Sequence, residues 1–241
     1  MSQLQRLAIA PSQLQQEQIL LTPQQQHYLA RVLRLRFGDR FIAMDGKGKW
    51  WLAHLEGEKA QILESLTVET ELPISITLMV ALPKGNGFDD VVRISTELGV
   101  AVIAPVVSDR TLLNPSPQKL ERWLRIAQEA AEQSERSFVP TILEPVSFLT
   151  ALATGTGNDR YICEARGSYP HLGEAINQIS TTSEMIIATG PEGGWTQKEV
   201  ECAIDAGFQP VSLGRRILRA VTAPIVALSV VAAHLESVPF N

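Results

Sequence analysis

A glycine-rich turn near the end of the chain has the clearest capacity for chemistry in this sequence. The stretch 186–196 (IIATGPEGGWT) leads from an apolar segment through three glycines to Thr196, a predicted helix cap. In parallel α/β sheets, ligands bind at the carboxyl ends of strands, where glycines let backbone groups approach a ligand closely. Glu192 would repel a phosphate and no Gly-Lys-Ser/Thr follows, so the turn predicts a neutral or cationic ligand. A purely structural turn is the alternative.

A second turn concentrates positive charge. The stretch 213–219 (LGRRILR) follows another predicted strand and holds Arg215, Arg216 and Arg219 within five positions. Next to a ligand loop, guanidinium groups can hold a phosphate or the edge of a nucleobase. A solvated basic turn explains the same spacing, and the sequence leaves both interpretations open.

A long amphipathic helix is predicted over residues 117–137. Its apolar positions recur at helical spacing and are predicted to be core: Leu120, Trp123, Leu124, Ala127, Ala130 and Ala131. Its polar end, 132–136 (EQSER), is either a solvated face or part of a substrate site.

The histidines and cysteines form no catalytic or metal-binding pattern. The four histidines are scattered, Cys163 and Cys202 lack the paired spacing of a zinc site, and no Gly-x-Ser-x-Gly elbow is present. The sequence therefore predicts no bound metal and no serine-triad chemistry.

The elements that must position these motifs form two predicted domains. Residues 1–72 form a small β-rich domain with one helix, which begins at the Thr22 cap and ends at about Phe37. From residue 73 apolar strands alternate with helices, which predicts a mostly parallel α/β sheet covered on both faces. The predicted strands are 41–44, 50–55 and 60–63 in front, then 74–82, 102–106, 160–163, 185–189 and 210–213; the later helices are 88–98, 117–137, 196–206 and 223–236.

The distribution of charge indicates a docking face for nucleic acid. The formal net charge is −5, which by itself disfavours a phosphate-rich partner. Between His27 and Trp50, however, only Asp39 and Asp45 are acidic. The same segment holds six basic residues: Arg31, Arg34, Arg36, Arg40, Lys47 and Lys49.

Hydropathy gives no sign of a membrane segment. The chain begins without an apolar stretch of signal-peptide length, and its longest apolar run, 223–233, is shorter than the ~20 residues that span a bilayer. We therefore expect a cytoplasmic protein without a membrane partner.

Several of these segments together resemble one known family. GPEGGW at 190–195, LGRRILR at 213–219, and TELGVAVIAP with RWLRIAQEAAEQSER within 96–136 are similar to the RsmE family of 16S ribosomal RNA uridine-N3 methyltransferases. HYLARVLRLRFGD and MDGKG are similar to the front domain of that family. The resemblance covers nearly the whole chain, and the combination is more specific than any one glycine turn.

The resemblance implies an S-adenosylmethionine-dependent enzyme that methylates N3 of one specific uridine in the 16S rRNA of the small ribosomal subunit. It implies a homodimer of the SPOUT superfamily, with a parallel α/β sheet, a C-terminal trefoil knot and a PUA-like RNA-binding β-barrel in front. It places the cofactor against Cys163, Glu164, Thr189, Gly190, Pro191, Glu192, Gly193, Gly194, Leu213, Gly214, Ile217, Leu218 and Arg219.

For the chemistry, uridine N3 holds a proton at neutral pH, and a guanidinium at the flanking carbonyl oxygens would favour the anion. Arg136 and Arg219 are the predicted catalytic groups, with Glu132 as the predicted proton acceptor. The predicted RNA contacts are Arg31, Arg34, Arg36, Lys47 and Lys49.

Four residues at three sites depart from the common pattern of that family. Ala220-Val221 stands where many members have Thr-Glu, Ile94 where they have lysine, and Glu135 where they have glycine. A non-catalytic RNA-binding or ribosome-assembly factor of the same fold is therefore the second hypothesis, although the intact glycine turn favours the enzyme. A dinucleotide oxidoreductase, the third, would need a glycine fingerprint that the sequence lacks.

Overall fold

The computed structural model describes residues 4–111, 116–155, 157–179 and 184–237. The chain divides into two compact units. The first comprises Met1–Glu71 and Ala131–Val139, and the second comprises Leu72–Ala130 and Pro140–Asn241. Each unit has its own sheet and its own core.

The first unit is built on a six-stranded sheet. Its strands are β1 (Arg6–Ala8), β2 (Leu14–Gln15), β3 (Gln18–Leu20), β4 (Arg40–Met44), β5 (Trp50–Glu56) and β6 (Lys59–Leu66), and its helix α1 (Pro23–His27) continues as a π-helical turn at Tyr28–Val32. The strand order is β1-β4-β5-β6-β3-β2, in which β1 is parallel to β4 and the other pairs are antiparallel.

The first helix begins as predicted but ends early. Thr22 and Gln25 form the predicted capping box, which is confirmed. The predicted end near Phe37 is wrong, because the helical turns stop at Val32 and Arg34 adopts a left-handed φ of +58°. The reason lies in packing: one buried and two half-buried leucines hold the chain against the sheet, where a continued helix would carry it away. These leucines are Leu29, Leu33 and Leu35.

The second unit is built on a parallel sheet covered by helices. Its strands are β7 (Ser75–Ala81), β8 (Val102–Val107), β9 (Thr141–Ile142), β10 (Val146–Ser147), β11 (Asp159–Cys163), β12 (Glu184–Thr189) and β13 (Gln209–Val211). Its helices are α2 (Gly87–Glu97), α3 (Pro117–Gln133), α4 (Phe148–Thr154), α5 (Leu172–Ala175), α6 (Gln197–Asp205) and α7 (Thr222–Ser237). The strand order is β10-β8-β7-β12-β11-β13, with β9 beside β8, and all these pairs are parallel. The predicted parallel α/β architecture is confirmed.

Helix α3 ends before the predicted boundary at Ser137. Glu135 takes a φ of +64°, and the carboxylate of Glu71 accepts hydrogen bonds from the backbone N–H groups of Ser137 and Phe138. The stretch from Ala131 to Val139 packs with the first unit. Most of the predicted apolar stripe is buried, but the prediction was wrong for Leu124, which is 45% exposed.

The centre of the second sheet consists of apolar strands that are buried on both faces, as parallel sheets require. Helix α7 is apolar around its circumference and buries Pro224, Leu228, Val231 and Leu235. None of the helices in the described ranges combines the length and the apolar character needed to span a bilayer.

Candidate functional site

Three neighbouring parallel strands end together at one edge of the second sheet. Cys163 at the end of β11 lies in register with Thr189 at the end of β12 and with Val211 at the end of β13. The loops that follow these strands therefore begin side by side, at the edge where α/β sheets bind ligands. With the start of α7 they line a cleft that is partly open to solvent.

The cleft and a smaller recess that adjoins it bring together most of the predicted cofactor residues. These are Cys163, Glu164, Gly190, Pro191, Glu192, Gly193, Gly194, Leu213, Gly214, Ile217 and Leu218. Two predicted residues do not line either space. Thr189 is fully buried and its hydroxyl donates to the carbonyl of Met79 at 3.5 Å, whereas the side chain of Arg219 is exposed and its carbonyl accepts N–H groups at the start of α7.

Trp195 fixes the glycine turn against the sheet. Its indole N–H donates to the carbonyl of Cys163 at 3.2 Å, and its ring stacks on Phe148 with 4.2 Å between centroids. A Cβ atom at Gly190 would lie 3.2 Å from the indole, so a side chain there would make the ring shift by a few tenths of an ångström. The path of the turn therefore depends on a buried aromatic ring.

Arg110 is a residue of the cleft that sequence reasoning missed. It lies in the turn after β8, and its Nη1 donates to the carbonyls of Gly193 at 2.6 Å and Trp195 at 3.3 Å. A Cβ atom at Gly193 would lie 3.1 Å from Cδ of Arg110, so this glycine leaves room for the arginine. No sequence signal marks Arg110, because its partners lie 83 and 85 residues away in the chain.

The turn that carries Arg110 is also tied to the start of α6. The predicted capping box between Thr196 and Glu199 is confirmed. Glu199 is 3% exposed, and its second carboxylate oxygen accepts the backbone N–H of Asp109 at 2.9 Å. The Asp109 carboxylate in turn accepts the hydroxyl of Thr196 at 3.3 Å. Two loops distant in sequence are thereby held in one arrangement beside the cleft.

The cleft combines acidic, basic and apolar groups. Its carboxylates are Glu164, which accepts the N–H of Arg166 at 2.7 Å, and Glu192, which accepts the N–H of Lys84 at 2.9 Å. Its guanidinium groups belong to Arg110 and Arg166, and its apolar side chains are Ile217, Leu218, Ala220 and Ala223. Burial raises the pKa of the Cys163 thiol to about 12, so this thiol is protonated at neutral pH.

Two of the predicted catalytic residues lie in the first unit and already have partners there. Arg136 is 3% exposed, and its guanidinium forms an ion pair with the carboxylate of Glu71. The carboxylate of Glu132 accepts the N–H of Ala8 at 2.8 Å. Both contacts hold the Ala131–Val139 segment against the first unit.

The predicted RNA contacts are all exposed. In the described part of the chain they form no ion pair, so their charges are available to an anionic ligand. They are Arg31, Arg34, Arg36, Lys47 and Lys49. Across the same ranges, no group of three or more histidine, cysteine, aspartate or glutamate side chains could hold a metal ion.

Known proteins resemble this chain over most of its length. A family model described as an RNA methyltransferase domain matches residues 70–232, and one described as an RNA methyltransferase PUA domain matches residues 21–64. The ribosomal RNA small subunit methyltransferase E of Synechocystis sp. is 48% identical over 237 residues, which cover 96% of this chain and 78% of the relative. Its counterpart in Bacillus subtilis is 31% identical over 90% of both chains. The structure of that enzyme from Neisseria gonorrhoeae, bound to S-adenosyl methionine, is 32% identical with a TM-score of 0.86 and covers 96% of this chain and 98% of that chain.

Proposed function

Because the chain belongs to the ribosomal RNA small subunit methyltransferase E family, we propose that it transfers a methyl group from S-adenosylmethionine to RNA of the small ribosomal subunit. The cleft at the ends of β11, β12 and β13 is the observation that carries this proposal. The support from relatives is that the gonococcal enzyme with the same fold was solved with this cofactor bound.

The residues of the cleft fit the cofactor. S-adenosylmethionine joins a sulfonium cation to an adenine ring, and the carboxylates of Glu164 and Glu192 suit the cation. Apolar side chains such as Ile217 and Leu218 suit the faces of a base, while the backbone of Gly190–Gly194 offers N–H and C=O groups to its polar edge. When bound, the cofactor supplies an electrophilic methyl carbon. The chain then has to hold it in line with the acceptor and exclude water.

We further propose that the acceptor is N3 of a uridine in 16S rRNA. N3 keeps its proton at neutral pH, so a positive charge that stabilises the uridine anion would accelerate the transfer. Arg219 is our first candidate, because its side chain is exposed and its neighbours Leu218 and Ala220 line the cleft. Among the residues that the structure describes, it forms no ion pair. The catalytic roles of Arg136 and Glu132 stay predictions, since their contacts within the first unit already account for both side chains.

We also propose the family's mode of RNA binding, oligomeric state and location for this chain. The first unit binds RNA through the phosphate contacts of residues 27–50, the basic segment. A uridine whose N3 edge is paired has to be unpaired before it reacts. We place two copies in a homodimer and the protein in the cytoplasm, where the small subunit is assembled. A trefoil knot in the second unit is part of the same proposal.

Titration calorimetry tests the cofactor. S-adenosylmethionine should bind to the purified chain and raise its melting temperature, because a ligand that prefers the folded state stabilises that state. The nicotinamide dinucleotide NAD should give neither effect. Binding of NAD without binding of S-adenosylmethionine would overturn the proposal.

A further inference from the structure

An aromatic side chain is exposed to solvent in the middle of the basic segment. Phe37 is 78% exposed, the largest value among the exposed large hydrophobic residues that the structure describes. Val32, in the same segment, is 59% exposed. Burying a phenylalanine side chain is worth about 2 kcal/mol, so a folded chain gains nothing by leaving it in water. Single exposed apolar residues are common on protein surfaces, so the case for a partner rests on what surrounds Phe37.

The backbone around Phe37 is fixed on both sides. On one side the N–H of Leu35 donates to the carbonyl of Leu29 at 2.9 Å, and on the other the N–H of Gly38 donates to the carbonyl of Leu55 at 2.8 Å. The carboxylate of Asp39 accepts the N–H of Arg36 at 2.7 Å and closes the turn. Phe37 thus points outward from an anchored turn, and a ligand would not have to order it first.

The surroundings of Phe37 are strongly cationic. Four arginines lie within ten positions of the chain and all are exposed: Arg31, Arg34, Arg36 and Arg40. Throughout the described ranges, none of them forms an ion pair. Asp39, the only acidic residue in the stretch 31–40, accepts a backbone N–H with its carboxylate. An exposed ring among unpaired guanidinium groups is the combination that binds single-stranded nucleic acid.

We propose that Phe37 is a stacking platform for an unpaired RNA base, with the neighbouring arginines on the phosphates beside it. This inference rests on the proposed function, since it takes RNA as the substrate. It adds that the first unit recognises an unpaired nucleotide in addition to the backbone. Stacking tolerates any base, so the platform selects for single-stranded structure and not for sequence.

A second copy of the chain fits this surface less well. In a two-fold contact the same patch meets itself, which would bring the four arginines of one copy against those of the other. Like charges in contact repel each other. Asp39 is the only acidic residue within 31–40, and its carboxylate already accepts a backbone N–H. RNA, whose phosphates neutralise these charges, is the occupant that the charge pattern favours.

Binding of RNA by Phe37 variants tests the inference. The probes are a short oligouridylate and an RNA duplex of equal length, with affinity measured by fluorescence anisotropy over a range of salt concentrations. Phe37→Ala and Phe37→Leu should each weaken oligouridylate binding by roughly 5-fold to 150-fold, because the variants cannot stack on a base. Phe37→Trp should keep the affinity. The salt dependence should not change, since every phosphate-binding side chain is still present.

Two controls separate stacking from other interactions. Leu63→Ala removes another exposed apolar side chain of the same unit, 42% exposed, and should leave RNA binding unchanged. Duplex binding should be equal in all variants. Wild-type affinity in Phe37→Ala, or full affinity in Phe37→Leu, would overturn the stacking role. A shift from dimer to monomer in Phe37→Ala with unchanged RNA affinity would also overturn it and assign the surface to a second copy.

The failure of this inference and the failure of the proposed function look different. RNA affinity is measured without cofactor, so it does not depend on methyl transfer. If the chain methylates RNA but the Phe37 variants bind oligouridylate normally, the stacking role alone is wrong. If the chain does not bind S-adenosylmethionine yet Phe37→Ala fails to bind single-stranded RNA, the proposed function is wrong and the platform stands.

Discussion

At the scale of single residues, the cleft depends on glycines that make room for a larger partner. Gly190 admits the indole of Trp195, and Gly193 admits the side chain of Arg110. The glycine turn could be predicted from the sequence, because its composition is local and unusual. Arg110 could not be predicted, since its two carbonyl partners come close only when the strands have formed.

The pairing of Gly193 with Arg110 predicts non-additive effects on cofactor binding. Arg110→Ala removes the hydrogen bonds to the carbonyls of Gly193 and Trp195 in the glycine turn. It should weaken S-adenosylmethionine binding roughly 3-fold to 10-fold. Gly193→Ala should weaken binding by less, because its Cβ would lie 3.1 Å from Cδ of Arg110 and would make the arginine shift by a few tenths of an ångström. The double variant should bind no more weakly than Arg110→Ala, since the methyl group then has space. Calorimetry of the four proteins measures this coupling.

Arg166 provides the matched control for that cycle. It also lines the cleft with a guanidinium, but a Cβ at Gly193 has no atom of Arg166 among its nearest neighbours. The effects of Arg166→Ala and Gly193→Ala should therefore add. If the Arg110 cycle is as additive as the Arg166 cycle, the arginine does not position the turn.

At the scale of elements, patterns that extend over several residues could be predicted and short elements could not. The apolar strands β7, β8 and β12 stand out in the sequence because they are buried on both faces. The two-residue strands β9 and β10 have too few residues to show any period. Helix ends were missed where distant contacts impose a left-handed residue, as at Arg34 and Glu135.

The backbone at Glu135, just after α3, should be measurably strained. Its φ of +64° lies in the left-handed region, which costs a residue with a side chain about 1 kcal/mol relative to glycine. Its carboxylate also pairs with Arg6 at 2.7 Å. Glu135→Gly and Glu135→Ala both remove this ion pair, but only glycine relieves the backbone. Glu135→Gly should therefore be about 1 kcal/mol more stable than Glu135→Ala in urea unfolding. Equal stabilities would contradict the assignment of strain.

Replacing Arg219, in the loop after β13, should cause a pH-dependent loss of methylation rate. If the guanidinium of Arg219 stabilises the uridine anion, Arg219→Ala should lower the single-turnover methylation rate roughly 100-fold while RNA affinity falls only modestly. Raising the pH should recover part of the rate, because more N3 is then deprotonated. Arg215→Ala, a change to another exposed arginine of the same loop, serves as the control. An Arg219→Ala rate that is equally low at every pH would assign Arg219 a purely structural role.

At the scale of the whole molecule, the alternation of strands and helices after residue 73 was sufficient to predict the parallel sheet. The affiliation of Ala131–Val139 with the first unit could not be predicted. It depends on the carboxylate of Glu71, which meets Arg136 and the following backbone 65 to 67 residues further along the chain. No local pattern encodes an interaction of that kind.

The basic segment and the cleft belong to different units, which predicts that docking and cofactor binding separate. Replacing Arg31, Arg34 and Arg36 together by alanine should weaken RNA binding and flatten its salt dependence. The slope of log affinity against log salt should fall by roughly 0.7 for each phosphate of single-stranded RNA that the variant no longer neutralises. S-adenosylmethionine affinity should stay at the wild-type value. An unchanged salt slope would place the RNA-binding surface outside this segment.

Nucleoside analysis is the measurement that decides whether this chain methylates N3 of a uridine in small-subunit RNA. Small ribosomal subunits from cells that lack the gene are incubated with the purified chain and isotopically labelled S-adenosylmethionine. The rRNA is then digested, and its nucleosides are identified by mass spectrometry. We expect labelled 3-methyluridine at a single position in 16S rRNA, and none when the purified chain is omitted. Label on another atom or base, or no label although the cofactor binds, would contradict this expectation.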